Sequence, residues 1–235
     1  MGREIEKAAL ARGHQILAIL DTPDDWKVHK SLLSQAGVAI DFSTPDSALN
    51  NIRRCFDIRL PVVVGTTGWQ EYSGLVRKWC SDEQQAVFVA SNFSIGVNIL
   101  YSLTDKLSKM MDRFEDYEIS IEEIHHIHKL DAPSGTAIRL ADIILSGVRR
   151  KKHWVNRTQS SPEELEIISG REDEITGIHT IRCESESDRL ILRHEAKSRK
   201  GFAVGAILAA EWLAGKKGYF EMKDLLSSQN IPFNK

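Results

Sequence analysis

The sequence Pro61-Val-Val-Val-Gly-Thr-Thr-Gly68 decides the fold class of this chain. Three consecutive valines, bounded by a proline and a glycine, indicate a short strand that is covered on both faces, as in a parallel sheet. Three other short apolar runs have the same form, at residues 16–20, 38–42 and 86–90. Amphipathic helical stretches separate these runs. The first 94 residues therefore predict βαβ units around a parallel sheet.

Small or polar residues follow each predicted strand, where a parallel sheet binds its ligands. The turn Gly65-Thr-Thr-Gly68 favours a backbone close to a nucleotide, although a plain strand-to-helix turn has the same composition. Asp21 follows the first predicted strand about 20 residues after Gly2, where a dinucleotide-binding domain carries the acid that binds the ribose hydroxyls. An isolated aspartate is also a common turn former.

The chain opens directly on a predicted helix, residues 3–11, which Gly13 ends. A doubly wound domain is expected to begin with a strand and a glycine-rich turn, and Met1-Gly2 looks like the tail of such a turn. We expect that the sequence starts at an internal methionine of a longer protein, and that these 235 residues bind a dinucleotide poorly. The alternatives are a damaged nucleotide site, or a domain that begins with this helix.

The pattern changes after Ser94 and predicts a second domain with an antiparallel or mixed sheet. Its predicted elements are helices at residues 97–111 and 137–146, strands at 117–121, 177–182 and 189–193, and solvated loops at 149–153 and 163–164. Beyond it, residues 203–214 predict an apolar helix and residues 219–226 a short amphipathic element.

The segment from His125 to Thr136 carries the reactive side chains. His125, His126 and Lys129 place two imidazoles and an ammonium within five residues, a group that can bind a carboxylate and deliver a proton. Ser134-Gly-Thr136 then begins a helix, whose first N–H groups form an anion site. Together they predict a site for a small anionic, dicarboxylic substrate.

Two other interpretations of this segment stay open. The histidines, with Glu122 and Glu123, could hold a metal ion, but side chains along one strand point alternately to opposite faces, so only part of the set can converge. A plain polar surface is the other. We predict an anion site and no metal ligands.

Composition excludes several classes of protein. The 235 residues carry 31 basic and 33 acidic side chains, a formal charge of −2, which gives no general attraction to nucleic acid. The longest apolar run, residues 202–214, is shorter than the roughly 20 residues that a membrane span needs. Residues 1–10 have two glutamates and no apolar stretch, so we do not expect them to be a signal peptide. Three scattered cysteines fit reduced, packed thiols in a cytoplasmic protein. We expect no nucleic-acid or membrane partner.

The whole chain resembles the 4-hydroxy-tetrahydrodipicolinate reductases, or dihydrodipicolinate reductases, of bacterial lysine and diaminopimelate synthesis. The residues that carry the resemblance are MGR at 1–3, IDFSTP at 40–45, VGTTG at 64–68, SNFSIGVN at 91–98, EIHHIHKLDAPSGTA at 123–137, HEAKSR at 194–199 and FAVGA at 202–206. The histidine–lysine block with its Pro-Ser-Gly-Thr is highly specific, whereas the Gly-Thr-Thr-Gly turn alone would be weak.

The resemblance implies an α/β fold in two domains. A Rossmann-like parallel-sheet nucleotide domain is expected at residues 1–94 and 200–235, incomplete at its N-terminus. An inserted α+β substrate and oligomerisation domain with an open mixed sheet is expected at residues 95–199, forming a homotetramer. The implied reaction is hydride transfer from NADH or NADPH to the substrate ring, giving tetrahydrodipicolinate.

The resemblance also implies residue roles. His125 is expected to donate or accept a proton and Lys129 to be a second proton donor. The implied substrate-binding residues are His126, Ser134, Gly135, Thr136 and, more weakly, Arg199. The implied cofactor-binding residues are Gly2, Asp21, Phe42, Gly65, Thr67, Ser91, Asn92 and Phe93.

The cofactor preference follows from Asp21. Thr22 and Pro23 come next, with no arginine or lysine to receive a 2′-phosphate, so we expect NADH to be preferred over NADPH. Rival interpretations are a catalytically impaired reductase-like protein, a histidine-rich metal-dependent hydrolase, and a dehydrogenase of another small substrate such as aspartate.

Overall fold

The computed structural model describes residues 1–158 and 161–228. The helices are α1 (Gly2–Ala11), α2 (Asp25–Val28), α3 (Lys30–Leu33), α4 (Pro45–Asp57), α5 (Ser73–Asp82), α6 (Ile95–Met111), α7 (Gly135–Gly147), α8 (Lys200–Leu213) and α9 (Met222–Ser227). The strands are β1 (Ala39–Asp41), β2 (Val62–Val64), β3 (Ala86–Val89), β4 (Glu118–His125), β5 (His153–Val155), β6 (Glu164–Arg171), β7 (Ile178–Glu184), β8 (Arg189–Glu195) and β9 (Gly218–Phe220).

The chain divides into two compact units. The first comprises Met1–Ile95 and Lys200–Lys235, and the second comprises Gly96–Arg199. Each has its own sheet and its own hydrophobic core.

The first unit is built around a parallel sheet in the order β1-β2-β3-β9. Side chains alternate between its faces. Val63 and Phe88 pack in one core with residues of α1 and α8, whereas Val62 and Val64 pack in another with residues of α4 and α5. This confirms the predicted α/β fold with a parallel sheet covered on both faces.

The prediction of a strand at residues 16–20 is wrong. These residues form no sheet hydrogen bonds within the described part of the chain, and Ile19 is 56% exposed. A strand exists only where a neighbour accepts and donates its backbone hydrogen bonds, and β1 ends the sheet without pairing to this segment. The apolar composition therefore identified a segment that packs against the hydrophobic core through Ile16, but not one that pairs with a strand of the sheet in the described part of the chain.

The second unit contains a mixed five-stranded sheet in the order β5-β6-β4-β7-β8. The central strand β4 is parallel to β6 and antiparallel to β7. Its residues alternate between partly exposed and buried, and Ile119 and Ile121 pack with Leu140 and Ile144 of α7. This confirms the predicted mixed sheet, and it fixes which face of β4 points inward.

Two predicted loops are partly strands. His153 begins β5 and Glu164 begins β6, because the apolar side chains next to them, such as Leu165, are buried in the sheet core. Lys151 is buried rather than solvated: its ammonium donates to the Glu164 carbonyl at 2.8 Å and pairs with the Glu118 carboxylate.

The C-terminal segment also differs from the prediction. Residues 219–226 were predicted as one amphipathic element, yet Tyr219 and Phe220 pair with β3 in β9 before α9 begins. No helix among the described residues is long and apolar enough to cross a membrane.

The three cysteines are free and buried, as predicted for packing residues. Burial raises the pKa of Cys55 to about 12.

Candidate active site

The candidate site lies at the carboxyl end of β4, on its inward face. Because side chains alternate along a strand, Glu123 and His125 point to the same side as Ile119 and Ile121. Glu123 is fully buried and His125 is 7% exposed. The strand thus brings a carboxylate and an imidazole into the interior, where charges are costly unless they are paired.

Neighbouring strands extend this site sideways. Glu123 lies opposite Ser169 of β6 and opposite His179 of β7, and His179 in turn lies opposite His194 of β8. Residues in register share a face of the sheet, so these four side chains form one row across it. We refer to Glu123, His125, Ser134, Ser169 and His179 as the Glu123 cluster.

The two carboxylate oxygens of Glu123 have different surroundings. Oε1 accepts hydrogen bonds from the Ser134 backbone N–H at 2.9 Å and from the Ser169 hydroxyl at 2.8 Å. Oε2 lies 3.5 Å from His125 Nδ1 and 3.7 Å from His179 Nε2. Oε1 is therefore satisfied, whereas Oε2 faces two imidazoles without a hydrogen bond among the described residues.

The charge states of the cluster follow from these contacts. Burial alone would raise the pKa of Glu123, but the hydrogen bonds from Ser134 and Ser169 lower it below its usual range. Burial lowers the pKa of His125, and although Glu123 raises it, the charges of Lys129 and Arg171 help keep it below its ordinary value. At neutral pH, Glu123 is therefore ionised and His125 is neutral.

A loop carrying Lys129 follows β4. The Lys129 ammonium donates to both carboxylate oxygens of Asp131, at 2.7 and 2.9 Å. Arg171, opposite His125 in β6, donates to the Lys129 carbonyl at 3.2 Å and to the Asp131 carbonyl at 2.5 Å. Arg171 thus ties this loop to the sheet and adds positive charge beside His125.

The start of α7 adjoins the cluster. The Ser134 side chain caps the helix by accepting the Ala137 N–H at 3.2 Å, and its hydroxyl lies 3.2 Å from His179 Nε2. Gly135 is exposed, and a Cβ built there would meet no atom within 4 Å. Thr136 is hydrogen-bonded to the Tyr101 hydroxyl. The first turn of α7 is therefore open to an anionic group.

One glycine makes room for His125. A Cβ on Gly177, whose φ is +159°, would lie 3.0 Å from His125 Nε2. Nδ1 is buried against Glu123, so Nε2 is the nitrogen that remains for exchange with a ligand.

The structure brings His125 and Ser134 together through Glu123, with Lys129, Gly135 and Thr136 on the adjoining loop and helix turn. His126 is half-buried, and its carbonyl accepts the Lys129 N–H at 3.1 Å. Arg199 is exposed and, among the described residues, makes no hydrogen bond or ion pair with the cluster.

Sequence reasoning missed three members of the site. It considered Glu123 only as a metal ligand and did not single out Ser169, Arg171 or His179. The burial alternation of β4 was a usable signal for Glu123, but His179 and Ser169 enter through strand register, which the sequence does not state. The ligand atoms of Glu123, His125 and His179 lie within 4.8 Å of one another. Of these three residues, the metal alternative considered from the sequence included Glu123 and His125 but not His179.

In the first unit, several residues expected to bind the cofactor meet at the carboxyl ends of the strands. A Cβ on Gly65 would overlap the Phe42 ring, and the rings of Phe42 and Phe93 lie 5.5 Å apart. Thr66 is buried, with a hydroxyl that has no hydrogen-bond partner among the described residues, and Thr67 is exposed.

The remaining expected cofactor residues are placed as follows. Ser91 is exposed, and the Asn92 side chain accepts the Ser94 N–H at 2.9 Å. Gly2 begins α1 and is exposed. Asp21 is exposed, and its N–H donates to the Asp25 carboxylate at 2.9 Å.

The fold is similar to those of solved structures. A dihydrodipicolinate reductase from Paenisporosarcina sp. TG-14, solved with dipicolinate bound, matches with a TM-score of 0.74 at 23% identity, over 94% of this chain and 92% of that one. An amine dehydrogenase from Mycobacterium smegmatis matches with a TM-score of 0.54 at 9% identity, over 100% of this chain and 94% of that one.

Sequence similarity to known proteins identifies the family. The chain is 46% identical to a 4-hydroxy-tetrahydrodipicolinate reductase of Christiangramia forsetii, over 97% of this chain and 94% of that protein. It is 34% identical to the enzyme of the same name from Neisseria meningitidis, over 85% of this chain and 76% of that one. The family models for the N-terminus and the C-terminus of dihydrodipicolinate reductase match residues 1–93 and 96–226. The chain therefore belongs to the dihydrodipicolinate reductase family.

Proposed function

We propose that the protein reduces 4-hydroxy-tetrahydrodipicolinate to tetrahydrodipicolinate with NADH or NADPH. The observation that carries this proposal, in a member of this family, is the Glu123 cluster. A single buried carboxylate lies between the imidazole of His125 and Ser134, the residue that caps α7. A proton source and an anion site thus stand side by side, as the reduction of a dicarboxylate ring requires.

The substrate carboxylates are bound by the start of α7 and its neighbours. The N–H groups of Gly135 and Thr136 point out of an open helix end, which favours negative charge. His126 and Lys129 add donors from the preceding loop, and the Ser134 hydroxyl adds another. Arg199 is a weaker candidate, since its side chain is exposed and has no contact with the cluster among the described residues.

Loss of the 4-hydroxyl group as water leaves a further double bond in the ring, and a bound nicotinamide would supply a hydride to one of its carbons. The electron pair displaced from the reduced double bond then takes a proton, which we assign to His125. Two substrate carboxylates beside His125 raise its pKa, because negative neighbours favour the imidazolium. Lys129 is the second proton donor, and its ion pair with Asp131 holds the ammonium in place.

The first unit fits a dinucleotide. The Thr66 hydroxyl, which has no hydrogen-bond partner in the described part of the chain, and the close packing of Gly65 on Phe42 lie at the carboxyl ends of parallel strands. Thr67, Ser91, Asn92 and Phe93 adjoin them. We assign Asp21 to the adenosine ribose and Gly2 to the turn that holds the pyrophosphate. Asp25 accepts the N–H groups of both Asp21 and Thr22, and its negative charge beside Asp21 disfavours a 2′-phosphate, which supports NADH as the preferred cofactor.

We further propose a homotetramer assembled through the open face of the second sheet. Ile168 and Ile191 point to this face and are 36% and 48% exposed, and both are large apolar side chains that association would cover. The buried, free cysteines and the biosynthetic relatives support a cytoplasmic location.

The test is the loss of nicotinamide absorbance when the protein is mixed with freshly generated 4-hydroxy-tetrahydrodipicolinate and NADH, and separately NADPH. Because these 235 residues are expected to bind a dinucleotide poorly, each cofactor is raised to the highest practicable concentration; we then expect turnover with both and a higher kcat/KM with NADH. His125→Gln should lower kcat by about 10²–10⁴-fold, the usual contribution of a general acid. The matched control is His128→Gln, since the His128 side chain is 70% exposed. Wild-type protein without turnover would contradict the proposed function.

A further inference from the structure

We propose that Glu123 is a positioning residue that fixes the ring orientation and the tautomer of His125, and that holds this ring in register with the start of α7. The inference rests on the proposed function, because it assigns to His125 the transfer of a proton to the substrate. We assign Glu123 no contact with substrate or cofactor.

One oxygen of Glu123 fixes the anion site. Oε1 accepts the Ser134 N–H at 2.9 Å, and Ser134 is the residue that caps α7. The Ser169 hydroxyl, 2.8 Å from the same oxygen, holds the carboxylate from the neighbouring strand β6. The start of α7 is therefore attached to β4 by a charge-assisted hydrogen bond, one of the stronger kinds in proteins.

The other oxygen of Glu123 fixes His125. Oε2 is buried without a hydrogen-bond partner among the described residues, and so is His125 Nδ1, 3.5 Å away. A carboxylate can only accept, so the proton on the neutral ring belongs on Nδ1, and Nε2 faces the space beside Gly177. Catalytic hydrogen bonds are often long before substrate binds and tighten afterwards.

His179 restricts the ring further. Its imidazole meets that of His125 edge to face, with the centroids 5.0 Å apart. Its Nε2 lies 3.2 Å from the Ser134 hydroxyl and 3.7 Å from Glu123 Oε2. The groups around His125 are thus Glu123 on its own strand, His179 on β7, Arg171 on β6, and Lys129 and Asp131 on the loop.

A purely structural role would need no charge at position 123. A glutamine in the same place offers a carbonyl oxygen to Ser134 and Ser169, so the hydrogen bonds of Oε1 can be kept. Its amide nitrogen would then face His125 Nδ1 as a donor, and the ring would have to move its proton to Nε2. Loss of the charge weakens the Oε1 hydrogen bonds but keeps them, whereas at His125 it replaces an acceptor by a donor. This difference separates the two roles experimentally.

The experiment compares Glu123→Gln with Glu122→Gln. Glu122 is the neighbouring residue of β4, on its opposite face, where it pairs with Arg182 at 3.4 Å. We expect Glu123→Gln to lower kcat by about 10–100-fold, the size of effect seen when the carboxylate that orients a metal-bound histidine is changed. KM should change by less than about twofold, since Oε1 contacts persist, and Glu122→Gln should behave as wild type. An unchanged kcat in Glu123→Gln would overturn the inference.

A second readout needs no turnover. Nitrogen-15 NMR of the wild-type protein should show neutral His125 with its proton on Nδ1, the signal being assigned by its loss in His125→Gln. In Glu123→Gln the proton should move to Nε2. A wild-type ring already protonated on Nε2 contradicts the inference even if Glu123→Gln fails to fold. If the wild type shows the expected tautomer without turning over substrate, the proposed function fails and the positioning role stands.

Discussion

At the scale of single residues, the most perturbed histidine is His179. It is 4% exposed, and burial, with the neighbouring His125 adding to it, lowers its pKa from 6.5 to about 4. Between these two values the unfolded chain binds a proton at this residue and the folded protein does not. The free energy of unfolding therefore falls as the pH drops below about 6.5 and levels off below about 4.

Urea unfolding at pH 7 and pH 5 measures this effect. We expect His179 to make the protein about 2 kcal/mol less stable at pH 5 than at pH 7. His179→Gln should remove that part of the pH dependence. His128→Gln should retain it, because the His128 side chain is largely exposed. If the free energy of unfolding changes by the same amount between pH 7 and pH 5 in His179→Gln and in the wild type, His179 is not the group responsible.

Site residues could be identified from the sequence where the reactive side chains are close together in the chain. His125, Lys129 and Ser134 lie within ten residues and could be recognised as one segment. Ser169 and His179 lie 46 and 56 residues from Glu123, and only the strand register brings them to it. Their chemistry was visible in the sequence, but their partnership with Glu123 was not.

At the scale of elements, α7 depends on Ser134 for its first turn. Ser134→Ala removes the side chain that accepts the Ala137 N–H and should lower the free energy of unfolding by about 1 kcal/mol, the usual cost of losing such a cap. The same substitution at Ser146, in the last turn of the helix, is the control, since its exposed hydroxyl only bonds back to the Ile143 carbonyl. Urea denaturation measures both, and equal stability of the two variants would argue against the cap.

Elements were predictable where local pattern and pairing agree. The run at residues 61–65 is apolar and lies between two other strands, so pattern and structure coincide in β2. The run at residues 16–20 has the same pattern but no neighbour that pairs with it among the described residues, and it is not a strand. Conversely, β5 and β6 begin with polar or charged residues. These residues are part of a strand because the apolar residues next to them are at least partly buried in the paired sheet.

At the scale of the whole molecule, the chain combines two separately packed units with different sheets. The parallel sheet of the first unit was predictable from repeated apolar runs, and the mixed sheet of the second from alternating ones. The family match over residues 1–93 and 96–226 covers both units. It favours the reductase over a histidine-rich hydrolase, although Glu123, His125 and His179 have the donor atoms of a metal site.

The most direct test of the central claim follows the hydride itself. The protein is incubated with freshly generated 4-hydroxy-tetrahydrodipicolinate and NADH deuterated at both positions of nicotinamide C4, with and without a chelator, and the product is analysed by mass spectrometry. We predict tetrahydrodipicolinate that carries one deuterium, in the same yield with the chelator present. A product without deuterium, or turnover that the chelator abolishes, would contradict direct hydride transfer at a site that works without a metal.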